Sequence, residues 1–315
     1  MRFSLGAHIG QQNLAMGELR ALWRRLDAAG LDWISVWDHL YESPPAGGTE
    51  PHFESVATLG ALCADTQRAR LGCLVFNAAY RNPGVLAKAA TTLDHISSGR
   101  FELGLGAGWH RQEAQAFGLD FPRAGARLDR LEELTILVQS LLTDERTSHE
   151  GEHFRVHDAS CLPAPVGGHI PLWIGGVGEK RTLRIAARHA DGWNAAYVDP
   201  TTYKHLCDVL EGWCTTEGRD PAEIERSVNV MFLGATKEED TSRVLEECRD
   251  SWGEMAPRVM DGALVGGPDR CIERIIEYAW SGAHGVNITL RAPWDPEALD
   301  CFLEIVMPAV HRELG

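Results

Sequence analysis

Long apolar runs are missing from this sequence. No stretch approaches the length that spans a bilayer, so no membrane partner or membrane-embedded segment is expected. Met1-Arg2-Phe3-Ser4-Leu5 enters an alternating strand pattern directly, without the features of a signal peptide. Paired cysteine motifs are missing as well. The eight cysteines, at 63, 73, 161, 207, 214, 248, 271 and 301, include no CxxC. That spacing argues against a zinc cluster or disulfide framework and suits reduced thiols in a cytoplasm. Positive charge is scarce too: 30 Lys and Arg stand against 45 Asp and Glu, a formal charge of −15. Such a balance argues against nucleic acid or an anionic membrane as a general partner.

What is present is an ordinary globular composition, 44% hydrophobic and 24% charged over 315 residues. That length suits one large barrel or two smaller domains. The chain is organised around Arg100-Phe101-Glu102-Leu103-Gly104-Leu105-Gly106-Ala107-Gly108-Trp109-His110. Phe101 to Leu105 alternates as a short strand does, and Gly104, Gly106 and Gly108 then remove side chains where the strand ends. Such glycines permit a sharp turn, or a flat ligand lying close to the backbone; GxGxG alone does not choose between them. A dinucleotide-binding reading fails because no acidic residue closes a next strand about 20 residues on. The segment at 123–142 reads instead as one long helix.

In chain order, strands are expected at Arg2–His8, Asp32–Trp37, Leu71–Phe76 and Arg100–Leu105, with helices at Gly17–Ala29, at Phe53–Asp65 and from Pro83 to Ser97. Pro83 suits the first turn of its helix. A polar loop containing Pro44-Pro45 and Gly47-Gly48 follows Asp38-His39. Thr143–Pro171 lacks helical periodicity and reads as a small β-hairpin insertion turning at Glu150-Gly151. Strands follow at Pro171–Gly175, Asp191–Ala195, Ser227–Leu233 and Gly285–Leu290, with helices between them and a last helix over Pro296–Arg312. Eight strands alternating with helices predict a (β/α)8 TIM barrel as a single domain over 1–315, with chemistry at the carboxyl ends of the strands. A doubly wound open sheet is the alternative.

Asp38-His39 falls at such an end, where an imidazole can donate or accept a proton; the competing reading is a histidine packed under a loop. Gly175-Gly176-Val177-Gly178 precedes a helix opening near Glu179, which offers free N–H groups to an anion but lacks the GK[ST] ending of a P-loop. Trp173 and Trp193, near strand ends, read as core. His149-Glu150-Gly151-Glu152-His153 fits HExxH, but that zinc chemistry needs both histidines on one helical face. Here Gly151 is central and the flanks alternate as strands, so no metal is expected.

Several segments together resemble the luciferase-like monooxygenase superfamily, and within it the oxidoreductases that use the deazaflavin coenzyme F420. They are Trp37-Asp38-His39, Tyr80-Arg81-Asn82-Pro83 with Leu86-Ala87-Lys88, Ser98-Gly99-Arg100 into Gly104–Trp109, Arg127–Glu133, Ile174–Leu183 and Ala190–Asn194. The resemblance covers about residues 1–200 closely and the rest loosely, and it implies the same barrel fold. It further implies that Asp38 and His39 stand at the cofactor-ring and proton-transfer positions, with Trp109 and His110 beside them. Cys73-Leu74 matches a bulge that, in many members, holds a non-prolyl cis peptide supporting the ring. Gly106, Gly108, Trp109 and Gln112 would flank the ring and ribityl chain, and Gly176, Gly178 and Glu179 would meet the cofactor phosphate. Some members carry a carboxylate where Trp109 stands, so a sugar-phosphate dehydrogenase role is not implied here. The expected function is hydride transfer between F420 and a small-molecule substrate with a C=C, C=N or C–OH group, by a cytoplasmic homodimer. An FMN-dependent monooxygenase and a non-catalytic flavin-binding protein are the alternatives.

Overall fold

The computed structural model describes residues 2–42 and 47–315. Its strands are β1 (Ser4–Ile9), β2 (Trp33–Val36), β3 (Arg70–Asn77), β4 (Phe101–Gly106), β5 (Thr147–Glu150), β6 (Arg155–Ala159), β7 (Leu172–Gly175), β8 (Gly192–Ala196), β9 (Glu225–Gly234), β10 (Ala263–Gly266) and β11 (Gly285–Leu290). The order β1-β2-β3-β4-β7-β8-β9-β11 is parallel throughout, and β11 pairs back onto β1. The closure makes an eight-stranded (β/α)8 barrel and excludes the open sheet. β5 and β6 form the expected antiparallel hairpin outside it. No helix among the described residues is long and apolar enough to cross a membrane.

Local chemistry explains the element ends. Asn82 accepts hydrogen bonds from the N–H groups of Gly84 and Val85, Pro83 opens the helix Pro83–Ser97, and Ser98 and Gly99 close it with φ of +58° and +84°. Gly30, at φ +91°, ends the helix Met16–Ala29 in the same left-handed way.

Three features depart from the sequence reading. Between the expected strands Ser227–Leu233 and Gly285–Leu290 only helices were expected, but the chain there also holds the strand β10, preceded by a short helix, Ala256–Asp261. β8 pairs with β9 only over Glu225–Asn229, so the carboxyl end of β9 would present a bare edge; β10 pairs with it over Met231–Gly234. A second short helix, Arg111–Ala116, precedes the expected long one, which runs Ala124–Thr143. The closing helix is interrupted by a π-helical stretch at Phe302–Val306.

The hairpin is tied to the long helix by one side chain. Glu133 accepts from His149 Nε2 at 3.0 Å and from the N–H groups of His153 and Phe154. His149 and His153 thus stand on a hairpin and its turn, without the shared helical face that zinc binding in HExxH needs. No group of three His, Cys, Asp or Glu that could hold a metal ion occurs among the described residues.

Inside the barrel, Trp33 and Trp173 lie with ring centroids 5.5 Å apart, and Leu74 completes their cluster. Glycines admit the two indoles: a Cβ on Gly192 would lie 2.4 Å from the Trp173 ring, and one on Gly72 would lie 3.1 Å from the Trp33 ring. Trp193 faces outward instead, stacked on Tyr203 at 5.4 Å. Below the indoles, at the amino ends of the strands, Arg70 lies over Trp33 and bonds to Glu225 and Glu102, and Trp173 Nε1 also donates to Glu102. Burial outweighs these partners and raises the Glu102 pKa to about 7. The folded protein therefore holds this proton more tightly than the unfolded chain does. The stability from that proton is full below the ordinary glutamate pKa and is lost as pH rises through about 7. Glu102→Gln keeps the acceptor for Trp173 without the buried charge. Its Tm relative to wild type should rise between pH 5 and pH 8; a difference that does not change with pH would show that Glu102 titrates normally.

Candidate active site

The carboxyl ends of β2, β3 and β4 meet on one buried carboxylate that sequence reasoning missed. Glu113, in the short helix after β4, accepts from His39 Nδ1 at 3.1 Å, Tyr80 Oη at 2.7 Å, Leu40 N at 2.7 Å and Tyr41 N at 3.0 Å. Burial by itself would raise its pKa, but these donors and the nearby His39 bring it down to about 2. The charged carboxylate keeps the His39 proton on Nδ1 and leaves Nε2 as the basic nitrogen. One signal in the sequence pointed here: His110 and Glu113 stand three residues apart at a helix start, the spacing of a capping box. His110 is indeed the cap, its Nδ1 accepting from Glu113 N at 3.0 Å.

Three further histidines surround His39, and each is spent. His8 is buried inside the barrel, its Nδ1 2.9 Å from Ser35 Oγ; burial, with His39 nearby, pushes its pKa down to about 3. His52 accepts from Trp37 Nε1 at 3.0 Å, and burial, again with His39 nearby, brings it to about 4. His110 is buried as a cap, and burial lowers its pKa. Among these four, His39 alone faces a carboxylate. Trp109 is 54% exposed and sets its indole edgewise to His39 at 5.4 Å and to His110 at 4.9 Å.

Asp38 stands beside His39 in sequence but turns the other way. Its carboxylate is fully buried and accepts from Ser55 Oγ at 2.7 Å, Asn77 N at 3.0 Å, Arg81 Nε at 3.1 Å and Arg81 Nη2. It fastens the end of β2 to β3 and presents no oxygen to the barrel mouth. Residues 43–46 of the loop that follows, Pro44 and Pro45 among them, lie outside the described residues.

The bulge in β3 is present, with the register shifting between Cys73 and Phe76. Its cis peptide is Leu74–Val75, one residue beyond the expected Cys73-Leu74. Cys73 is fully buried in the outer core, and burial raises its thiol pKa well above the usual range. Leu74 and Val75 lie in the barrel interior. The glycines that signalled a site make room for Val75: a Cβ on Gly106 would lie 2.3 Å from Val75 Cγ2, and one on Gly175 would lie 2.6 Å from Cγ1. Gly108, at φ +75°, passes close to the Asn77 side chain. Gln112 is exposed and faces Gly47 across the mouth.

After β7 the chain makes an open turn before the helix Thr182–His189, which starts three residues later than expected. Gly176, at φ +129°, is pinned from both sides: its N–H donates to Asn194 O, and its carbonyl accepts from Trp193 Nε1 at 2.8 Å. The N–H groups of Gly178, Glu179 and Lys180 have no partner among the described residues. The Glu179 carboxylate faces outward to His205 at 3.3 Å, so only the backbone of this residue addresses the turn. The arrangement is an anion cradle of backbone donors at a helix start.

Because Glu113 is held charged, the stability it confers is present above the ordinary glutamate pKa and is lost as pH falls towards 2. Glu113→Gln should cost about 1–3 kcal/mol at neutral pH by leaving buried donors short of acceptors. Denaturant unfolding of both proteins from pH 7 to pH 3 checks this. The gap should narrow on acidification, and a constant gap would mean that the carboxylate is not charged in the fold.

The sequence profile for luciferase-like monooxygenase matches residues 1–285. An F420-dependent glucose-6-phosphate dehydrogenase from Nakamurella multipartita is 31% identical over 266 residues, covering 84% of this chain and 76% of that protein. The corresponding enzyme from Rhodococcus erythropolis is 31% identical over 250 residues, covering 78% and 72%. Among solved structures, an F420-dependent secondary alcohol dehydrogenase in complex with an F420-acetone adduct superposes with a TM-score of 0.86 at 18% identity, covering 98% of this chain and 99% of that one. The long-chain alkane monooxygenase LadA gives 0.83 at 16%, covering 99% and 92%. With the profile matched over nearly its whole length, the chain belongs to the luciferase-like monooxygenase family.

Proposed function

We propose that this protein is an oxidoreductase that transfers a hydride between coenzyme F420 and a small organic substrate at a C=C, C=N or C–OH group. The observation that carries the reading is His39 at the carboxyl end of β2, its Nδ1 held by the buried Glu113 carboxylate and its Nε2 left without a partner among the described residues. The relatives named as F420-dependent enzymes support the choice of cofactor. The residues present also fit such a group. The open N–H groups of Gly178, Glu179 and Lys180 suit its phosphate. Leu74 and Val75 form an apolar shelf for a flat ring, flanked by Gly106, Gly108, Trp109 and Gln112. When bound, F420 supplies the carbon that accepts or releases the hydride.

The chain's own groups do the remaining work. In the oxidising direction, Nε2 of His39 takes the hydroxyl proton as the hydride leaves carbon; in the reducing direction the imidazolium returns it. Glu113 stabilises that cation, and Tyr80 and the Leu40 and Tyr41 N–H groups hold the carboxylate in place. Asp38 acts through Arg81 and Asn77 by fixing the strand ends. Trp109 supplies an apolar wall. Its bulk, where other members carry a carboxylate, supports a substrate other than a sugar phosphate.

The eight free cysteines support a cytoplasmic setting, and the core cluster running from Phe3 to Val310 supports a single domain. Val85 and Ile96, exposed on the helix Pro83–Ser97 beside Leu162 and Val166, support a homodimer that covers this face.

F420 should bind at least about tenfold tighter than FMN, a difference of about 1.4 kcal/mol, in titrations followed by tryptophan fluorescence. Equal affinities, or tighter FMN, would promote the monooxygenase. With a confirmed substrate, His39→Ala should lower turnover by about 10²–10⁴-fold and His39→Gln by nearly as much, while cofactor affinity falls far less. The pH profile should lose the limb belonging to this histidine. Wild-type turnover in either variant would reduce His39 to a packing residue.

A further inference from the structure

A cation ends the inward face of β11. Val286, Ile288 and Leu290 pack in the outer core, so the alternate residues Asn287 and Thr289 point into the barrel. Asn287 meets Asn229 there, Nδ2 to Oδ1 at 3.0 Å. Arg291, the next residue of that parity, follows the strand and lies at the barrel mouth. Its guanidinium carbon is 4.3 Å from the centre of the Trp252 ring and 6.0 Å from that of Trp37. Two indole faces therefore hold the guanidinium. Trp37 is itself fixed: it is buried, sits edgewise to His8 at 5.1 Å and packs so closely on Gly10 that a Cβ there would lie 2.4 Å from its ring. The same Trp37 runs directly into Asp38 and His39, so the cation and the proton-transfer histidine share one support.

Around the guanidinium the wall is mainly apolar, with a hydroxyl near it. Tyr197, just past β8, has φ +55° and sets its Oη 3.5 Å from Thr289 Oγ1, on the strand that leads to Arg291. A left-handed residue other than glycine persists only where its surroundings enforce it. Here Gly262 does so, since a Cβ on it would come within 2.3 Å of the Tyr197 carbonyl carbon. Val228 and Val230 of β9 face the outer core, whereas Met231 joins Tyr197, Leu233, Trp252 and Val265 in a separate apolar cluster. Burial in these surroundings lowers the Arg291 pKa, and Tyr197 only partly opposes the shift. In the strand order, β8, β9 and β11 lie across the barrel from β3, which carries Leu74 and Val75. The proton-transfer chemistry of His39, Glu113 and Tyr80 uses no group of that side.

We propose that Arg291, with the neighbouring Tyr197 hydroxyl, binds a carboxylate on the substrate, and that the substrate is an apolar carboxylic acid carrying the reacting C=C, C=N or C–OH group. This rests on the oxidoreductase reading above. A planar guanidinium matches a carboxylate with two parallel N–H···O bonds, and a tyrosine hydroxyl gives a third. Partial burial strengthens such bonds relative to water. One guanidinium balances a monoanion; a phosphate dianion would leave charge uncompensated against Trp252 and Leu233. Those side chains suit a hydrocarbon body instead. An acid anchored on this side crosses the entrance towards His39 with one end fixed, which sets the orientation of its reacting carbon.

Titrations of the F420-loaded and the cofactor-free protein with octanoate, octanamide and octyl phosphate test this. Tryptophan fluorescence is the readout, since two indoles flank the guanidinium. Octanoate should bind at least about tenfold tighter than octanamide and no more weakly than octyl phosphate, and butanoate should bind more weakly than octanoate. Arg291→Gln should bring octanoate down to the affinity of the amide and leave octanamide as in wild type. Arg291→Lys, a point charge without the fork, should keep only part of the preference; it carries the test if the glutamine variant does not fold. Tyr197→Phe should weaken octanoate alone, by about threefold to tenfold. F420 affinity should be the same in all three variants as in wild type. Equal affinity for acid and amide, or a preference that survives Arg291→Gln, overturns the inference and leaves the oxidoreductase reading standing. Tighter binding of octyl phosphate overturns the carboxylate assignment in the same way. An F420 affinity that falls in step with that for octanoate assigns Arg291 to the cofactor and also overturns it. Acid preference in a protein that binds no F420 removes the oxidoreductase reading and the substrate role of this site together.

Discussion

The site depends on one buried negative charge. Glu113 collects donors from the β2 loop, from the loop after β3 and from His39, while its own N–H is held by His110. A carboxylate in that position is costly unless every lone pair is used, so its partners are constrained together. The orientation of His39 and the engagement of its Nδ1 both follow from that constraint. So does the path of the chain from Leu40 to Tyr41, whose N–H groups converge on the same oxygen.

Around this charge the structure separates supporting groups from reactive ones by burial. Asp38 and Arg81 neutralise each other, away from the mouth, to join two strands. His8, His52 and His110 are kept neutral by desolvation or by acting as acceptors. His39 and Trp109 are left facing the open end. Four histidines within one site thus leave a single imidazole placed for proton transfer.

The alternation of strand and helix was legible because barrel strands are buried on both faces and the helices between them carry clear starts and stops, such as Asn82-Pro83 and Ser98-Gly99. β10 was not legible: Ala263–Gly266 is too short to show a period, and its role is to cover the bare end of β9, a fact of three dimensions. Glu113 escaped notice because an acid in the first turn of a helix ordinarily serves the helix dipole. Gly104, Gly106 and Gly108 did flag a close approach, but the group approaching Gly106 is Val75 from the neighbouring strand, which periodicity cannot reveal.

The floor of the barrel has a kinetic meaning. Trp33, Trp173, Arg70, Glu102 and Glu225 close the amino-terminal end with buried rings and paired charges. A barrel sealed below has one door, and two ligands that share a door must queue. Whatever settles deep, against Leu74 and Val75, must enter before a ligand that sits above it at the mouth and can leave only after that ligand has gone.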